Sequence, residues 1–164
     1  MNPTRFLEHV DRTYKPAPAL LSLIPVERLD WAPATNMMTI RQLIHHLSAR
    51  TGVHGLVTGD FDPSRCWGDN DDPASITPDK ARERLTKAVE EVKRSLSGVS
   101  IEDWEHRIVE MPWGVKGTLE TMAYGLIIEH FLNHKMQLFL YLKLLGIPVD
   151  TGTLYFGLLP GQKH

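Results

Sequence analysis

Two histidines four residues apart lie in the most apolar part of the chain, IIEHFLNHKMQLFLYL, residues 127–142. In an α-helix, His130 and His134 lie one turn apart on the same face. Each buried imidazole needs partners for its nitrogens, and an unpaired buried polar group costs roughly 1–3 kcal/mol. One divalent metal ion bound by both would satisfy one nitrogen of each, as in helix-borne zinc motifs. Two interpretations stay open: a pair of metal ligands, or two hydrogen-bonded core residues.

A second helical stretch, TIRQLIHHLS at residues 39–48, can supply a third ligand. At 100° per residue, His46 lies about 110° from the centre of the apolar stripe and His45 about 150°. We therefore expect His46 to turn inward and His45 to point more to solvent. His54 returns to the apolar side about 12 Å further along, where it suits the pocket wall better than shared ligation. The stripe consists of Ile40, Leu43, Ile44 and Leu47.

Three neutral imidazoles with one open position describe a catalytic metal site instead of a closed structural one. Such a site can lower the pKa of a bound water or thiol and can polarise a carbonyl group. Nitrogen-rich ligation suits zinc or nickel and accepts iron. The expected centre is therefore one divalent ion per chain, held by His46, His130 and His134.

Four helical stretches must position these residues, at about 4–22, 39–58, 77–96 and 119–145. Pro16 and Pro18 predict a disturbance in the first, because a proline inside a helix removes a hydrogen bond. Threonines are the expected N-caps of the other three. Four helices and no convincing strand predict an all-α four-helix bundle with long connecting loops. The inward stripe expected on the last helix is Leu119, Met122 or Ala123, Leu126, His130, His134, Leu138, Tyr141 and Leu145.

A long connection, GDFDPSRCWGDNDDPASIT at residues 59–77, is too rich in Asp, Pro and Gly for a regular element. Loops of this length are usually functional or mobile, so the part from Asp60 to Thr77 favours a site with a lid. Cys66 within it is expected to be inert, and the DNDD run lacks the spacing of a calcium loop. Trp113 is the tryptophan best placed to gate the pocket. The apolar tail at 154–159 is expected to pack on the bundle or on a neighbour.

The bulk composition limits the class of protein. The 164 residues are 42% apolar and 23% charged, which is typical of a single globular domain covering residues 1–164. A net charge of −2 gives no broad basic field for nucleic acid or an anionic membrane. The single cysteine suits a reducing compartment, and no stretch resembles a signal peptide or a membrane span. A cytoplasmic protein is the expectation.

The motifs TIRQLIHHLS, WGVKGTLETM and EHFLNHKMQLFLYLKLLGIP resemble those of the DinB-like superfamily over nearly the whole chain. The resemblance implies a metal-binding four-helix bundle with up-down-down-up order, often a dimer. The family's three ligand histidines then fall on His46, His130 and His134. Met136 stands where the family often has the glycine of His-Arg-Gly-Gln. Members include thiol-dependent S-transferases and an isomerase that use low-molecular-weight thiols.

These expectations define the leading functional hypothesis, a metal-dependent thiol S-transferase or hydrolase that acts on a small electrophilic substrate. A low-molecular-weight thiol and a second copy of the chain are the expected partners, without nucleic acid or membrane. No general base is evident. His54, Trp113 and Gln137 are candidates for lining the pocket or supporting the ligands. Two alternatives remain, a metal-binding protein without turnover in stress response or sequestration, and a structural bundle with core histidines.

Overall fold

The computed structural model describes residues 1–67 and 72–162 and is mostly helical. The Asp69–Asp71 part of the DNDD run lies outside the described residues. Tyr124–Glu129 form a π-helical turn between α8 and α9, and Val26–Arg28 and Pro73–Ser75 form 3₁₀ turns. The helices are α1 Pro3–Tyr14, α2 Ala17–Ser22, α3 Ile40–Leu47, α4 Val53–Thr58, α5 Pro63–Cys66, α6 Pro78–Leu96, α7 Ile101–His106, α8 Leu119–Ala123, α9 His130–Leu144 and α10 Thr151–Phe156.

All four predicted helical stretches are present, but only α6 is a single uninterrupted α-helix. The first is divided into α1 and α2 beside Pro16, as the prolines predict. The second is divided into α3 and α4, which the sequence analysis missed, because Gly52 takes a left-handed conformation with φ of +72°. The predicted N-caps are confirmed. The side chains of Thr39, Thr77 and Thr118 accept hydrogen bonds from backbone N–H groups in the first turns of α3, α6 and α8.

The inward stripe predicted on the last helix is correct at Leu119, Ala123, Leu138 and Tyr141 but wrong at the two histidines. His130 is exposed and His134 is half-buried, so both lie beside the core-facing side of α9. The sequence could not fix this side, because α9 is apolar around most of its circumference and its periodicity is therefore weak. The buried residues of α9 are Phe131, Lys135, Leu138, Phe139, Tyr141 and Leu142.

A short antiparallel hairpin precedes the last helical stretch, where extended character at most was expected. Strands β1 (Ile108–Glu110) and β2 (Lys116–Thr118) pair with Val109 opposite Gly117. Gly114 supplies the positive φ of +86° that its turn requires. The hairpin therefore corrects the expectation of no strand, and its turn carries Trp113.

The core lies between α9 and the helices packed around it. α1 and α2 pack against α6, and α3 packs against both α6 and α9. The Tyr14 and Phe131 rings stack with centroids 3.6 Å apart, which joins α1 to α9. α10 packs on α2 and buries Leu154, which confirms that prediction for part of the tail. No helix in the described part of the chain is long and apolar enough to cross a membrane.

One charged side chain, Lys135, is buried in this core. Its exposed fraction is 5%, and its Nζ donates to the Thr13 carbonyl oxygen at 3.2 Å. Burial lowers the pKa of Lys135, because the ammonium loses water and gains a single carbonyl acceptor.

We predict that Lys135→Met raises the free energy of unfolding by about 1 kcal/mol at neutral pH, because it removes a buried charge and retains an apolar stem. The pKa of Lys135 is lower in the folded protein than its value of 10.5 in the unfolded chain. Between these two pKa values the unfolded chain binds more protons than the folded protein, so the stability of the wild type rises with pH in that range. Urea unfolding at neutral and alkaline pH tests both points. The exposed Lys87→Met is the control, and a loss above about 1 kcal/mol in Lys135→Met would contradict the prediction.

Candidate metal centre

Three histidines from two helices converge at one end of a cleft. His46 is in the last turn of α3, and His130 and His134 occupy the first two turns of α9. Their ring centroids are 4.9, 4.5 and 4.7 Å apart for the pairs 46–130, 46–134 and 130–134. One ring nitrogen from each lies within 4.8 Å of those of the other two. This spacing allows all three nitrogens to reach a single ion between them.

A chain of hydrogen bonds fixes the orientation and tautomer of His134. The Tyr141 hydroxyl donates its only hydrogen to the Met38 carbonyl at 3.1 Å, so it must accept from the Gln137 amide nitrogen at 3.0 Å. The Gln137 oxygen therefore faces His134 and accepts from its Nδ1 at 3.0 Å. The Nε2 lone pair of His134 is left available for a metal ion. Gln137 thus contacts an expected ligand, as the sequence suggested.

Burial and neighbouring histidines favour the neutral forms of His130 and His46. Partial burial, followed by the proximity of His134 and His46, lowers the pKa of His130 to about 4. The pKa of His46 is also lowered, first by burial and then by His134 and His45. At neutral pH these imidazoles carry no proton that a metal ion would have to displace. The donor set therefore fits a divalent cation.

The histidines are not core residues, although the sequence analysis expected His130 and His134 on the buried stripe of the last helix. His46 and His130 are exposed to the cleft, so solvent can satisfy their nitrogens without a metal. His45, which we expected to point more to solvent, is the more buried of the two α3 histidines. Both histidines nevertheless line the same cavity.

A cavity of about 410 Å³ opens directly onto His46 and His130. Its wall is largely aromatic, with the Trp67 and Trp113 rings 6.1 Å apart at an angle of 44°. Trp113 thus lies where the sequence suggested. The lining residues are Tyr14, His45, His46, Leu47, Ala49, Arg50, Thr51, Trp67, Trp113, Leu126, His130 and Phe131.

The break between α3 and α4 builds the polar part of this cavity. Arg50 donates one hydrogen bond to the Arg65 carbonyl at 3.0 Å and forms no ion pair within the described residues. A Cβ at Gly52 would lie 2.9 Å from the Trp67 indole nitrogen, so only glycine leaves room for this ring. Sequence periodicity missed Arg50, although the glycine in the ARTG run was a signal for the break.

His54 does not join the cluster. The sequence analysis placed His54 on the apolar side by assuming that one helix continues from residue 39 to residue 58. In the structure, His54 lies on the separate helix α4. Its Nε2 is 3.7 Å from the Asp60 carboxylate, and it is not among the described residues that line the cavity. The described part of the 60–77 loop contributes Trp67 to the cavity wall. Cys66 is buried, and burial raises the pKa of its thiol, which keeps it protonated.

Comparison with known proteins identifies the family and supports the fold. The family model of the DinB superfamily matches residues 9–137, so the chain belongs to the DinB superfamily. A DinB-like protein from Bacillus subtilis has a similar crystal structure, with a TM-score of 0.68 at 18% sequence identity. The alignment covers 95% of this chain and 99% of that protein, and it supports the shared fold. No functionally curated protein matches the chain.

We predict that the stability of the metal-free protein falls as the pH falls from 6.5 to about 4. In that window an unfolded histidine takes up a proton that folded His130 resists, so acid favours the unfolded state. Thermal unfolding across this range, in the presence of a chelator, measures the slope. His130→Gln should flatten it, whereas Asn133→Gln at an exposed position of α9 should not. Equal slopes in wild type and His130→Gln would contradict the prediction.

Proposed function

We propose that this protein is a metal-dependent enzyme that activates a low-molecular-weight thiol against a small electrophilic substrate. The observation that carries the proposal is the convergence of three histidines, His46, His130 and His134, beside a cavity that His46 and His130 line. Three nitrogen ligands leave a coordination position open, and they suit zinc or nickel and accept iron. When bound, such an ion would lower the pKa of a thiol or water to near neutrality and polarise an adjacent electrophile.

The protein's own residues supply orientation. The Gln137–Tyr141 relay holds His134 with its Nε2 available, so little reorganisation is needed to complete the ligand set. The low pKa of His130 keeps protons from competing for the same nitrogen at neutral pH. The aromatic wall beside the cluster excludes water from one side of the cleft.

The cavity favours thiol transfer over hydrolysis. Its described lining residues include no carboxylate that could accept or return a proton. A thiol loses its proton when it binds a metal ion, whereas hydrolysis usually also needs a group that protonates the departing atom. We therefore favour an S-transferase over the hydrolase alternative.

The walls also favour a particular kind of electrophile. Trp67 and Trp113 offer flat apolar surfaces, and the Arg50 guanidinium retains donors that no described carboxylate occupies. Arginine binds carboxylates and phosphates through paired N–H donors. A small substrate with a planar apolar body and one anionic group matches this arrangement.

We predict that protein purified without an affinity tag carries about one zinc, nickel or iron ion per chain. His46→Ala and the double variant His130→Ala/His134→Ala should lose it, because neither retains three ligands. His45→Ala is the matched control, since it removes the neighbouring histidine of α3 and should keep the metal. Elemental analysis before and after metal addition measures the metal content of the wild type and of each variant. An unloaded wild type that takes up no metal would overturn the proposed centre.

Metal that is retained without turnover would favour the second candidate, a metal-binding protein of stress response or sequestration. The exposed, incomplete ligand set argues against this, because sequestration favours a closed site with all positions filled by protein. Thiol consumption with a panel of aryl electrophiles separates the two candidates in metal-loaded protein.

We predict that Arg50→Gln raises KM for an aryl electrophile bearing a carboxylate by about tenfold or more, because it removes a charged hydrogen-bond donor. The methyl ester of the same compound should be unaffected, and metal content should not change. Arg28→Gln serves as the control, because Arg28 lies on a 3₁₀ turn and is not among the residues that line the cavity. An equal change for acid and ester would contradict an anion-binding role.

A further inference from the structure

A second cavity opens onto the metal centre beside the one already described. It measures about 270 Å³ and includes His130 in its wall. The turn of the β-hairpin contributes Met111 and Val115, and α8 contributes Met122. None of its described lining residues is a carboxylate, a lysine or an arginine. This space, the hairpin cavity, is therefore apolar, whereas the first cavity has Arg50 in its wall.

The hairpin cavity adjoins the first cavity. Trp113, Leu126 and His130 line both of them. At about 270 Å³, the hairpin cavity is smaller than most independent ligand sites, which measure about 300–1,000 Å³. It is therefore better explained as an extension of the first cavity than as a separate site. Because His130 lies on both cavities, a molecule that occupies the two together must pass beside the histidine cluster.

The rim of the hairpin cavity exposes apolar surface to water. Trp113 and Val115 are 59% and 49% exposed, although hairpin turns are usually built from polar residues and glycine. Their position is fixed, because the Met111 carbonyl accepts from the Gly114 N–H and the Met111 N–H donates to the Val115 carbonyl, both at 2.8 Å. A ligand in the hairpin cavity would cover part of this surface and gain the free energy of apolar burial.

A glycine in the π turn keeps the hairpin cavity open. Gly125 lines the cavity, and a Cβ at this position would meet only the Glu129 Oε2, at 3.8 Å, among the described residues. Packing therefore does not require glycine here. Glycine in a helical segment destabilises it relative to alanine, because glycine loses more conformational freedom on folding. The space left by the missing side chain explains why glycine occupies this position.

We propose that the hairpin cavity binds the apolar end of an elongated substrate whose anionic group lies at Arg50. This inference rests on the proposed function and specifies its electrophile further. The substrate is a compound with an anionic group at one end, an apolar aryl or alkyl group at the other, and the reacting atom between them. Such a ligand has its central part beside His130, where the two cavities meet. A compact substrate would fill the first cavity and leave the hairpin cavity to water.

The test uses benzoate and its 4-methyl, 4-ethyl and 4-butyl derivatives as unreactive probes, with isothermal titration calorimetry of the full-length protein as purified. Affinity should rise by about threefold or more for each added carbon, because each one buries further apolar surface. Gly125→Leu should abolish this rise by filling the hairpin cavity. Gly98→Leu is the matched control and should keep the rise, because Gly98 is exposed and a Cβ there would meet nothing within 4 Å.

Two further variants test the orientation and guard against misfolding. Arg50→Gln should weaken every member of the series by the same factor of about tenfold or more, because the carboxylate loses a charged donor at the same place. Val115→Asp should also reduce the rise, because it introduces a carboxylate into the apolar cavity. The exposed position of Val115 allows this variant to fold, which circular dichroism checks for all of them.

Three outcomes would overturn the inference: no binding of any probe, equal affinities along the series in the wild type, or a rise that persists in both Gly125→Leu and Val115→Asp. The benzoates do not react with thiols, so these results do not depend on turnover. A protein that shows the length dependence but consumes no thiol would contradict the proposed activity and retain the hairpin cavity as a binding site.

Discussion

The position of α9 relative to α1 and α3 is the constraint on which the rest of the structure depends. The π turn before α9 sends the His130 amide to the Gly125 carbonyl, five residues back. The Ile127 carbonyl within that turn accepts a hydrogen bond from the buried Tyr14 hydroxyl at 2.9 Å. Tyr14 also stacks on Phe131, so one side chain of α1 supports both the irregular turn and the regular helix after it. His130 lies between these two supported residues.

This arrangement lets one helix serve the core and the cleft at once. Phe131 and Leu138 are buried, whereas His130 and His134 remain at the edge of the same helix. Fully buried imidazoles would exclude a substrate, and fully exposed ones would keep an ordinary pKa and compete for protons. Partial burial lowers the pKa of His130, and its ring still faces the cleft, where a small molecule can approach it. The Gln137 relay then restricts His134 without closing the site.

Features that depend on local residue spacing could be predicted from the sequence. Features that depend on contacts between residues far apart in the chain could not. The three histidines, the threonine caps and the Pro16 break all follow from residues within one or two turns. Arg50 could not be found in this way, because it joins the cavity wall only where the chain bends between α3 and α4. His54 was misplaced by the same bend. The burial of Lys135 contradicts side-chain polarity and follows from the packing of α9 against α1.

The uniform apolarity of α9 explains why its predicted inward stripe is correct at Leu138 and Tyr141 but wrong at the two histidines. Periodicity identifies a buried side only when another side is polar, and on α9 the leucines and Met136 of the outer face obscured that contrast. A helix that served the core alone would gain nothing from Leu140 and Leu144 in water, and large exposed apolar patches favour association. Core and histidine cleft therefore occupy separate sides of one helix.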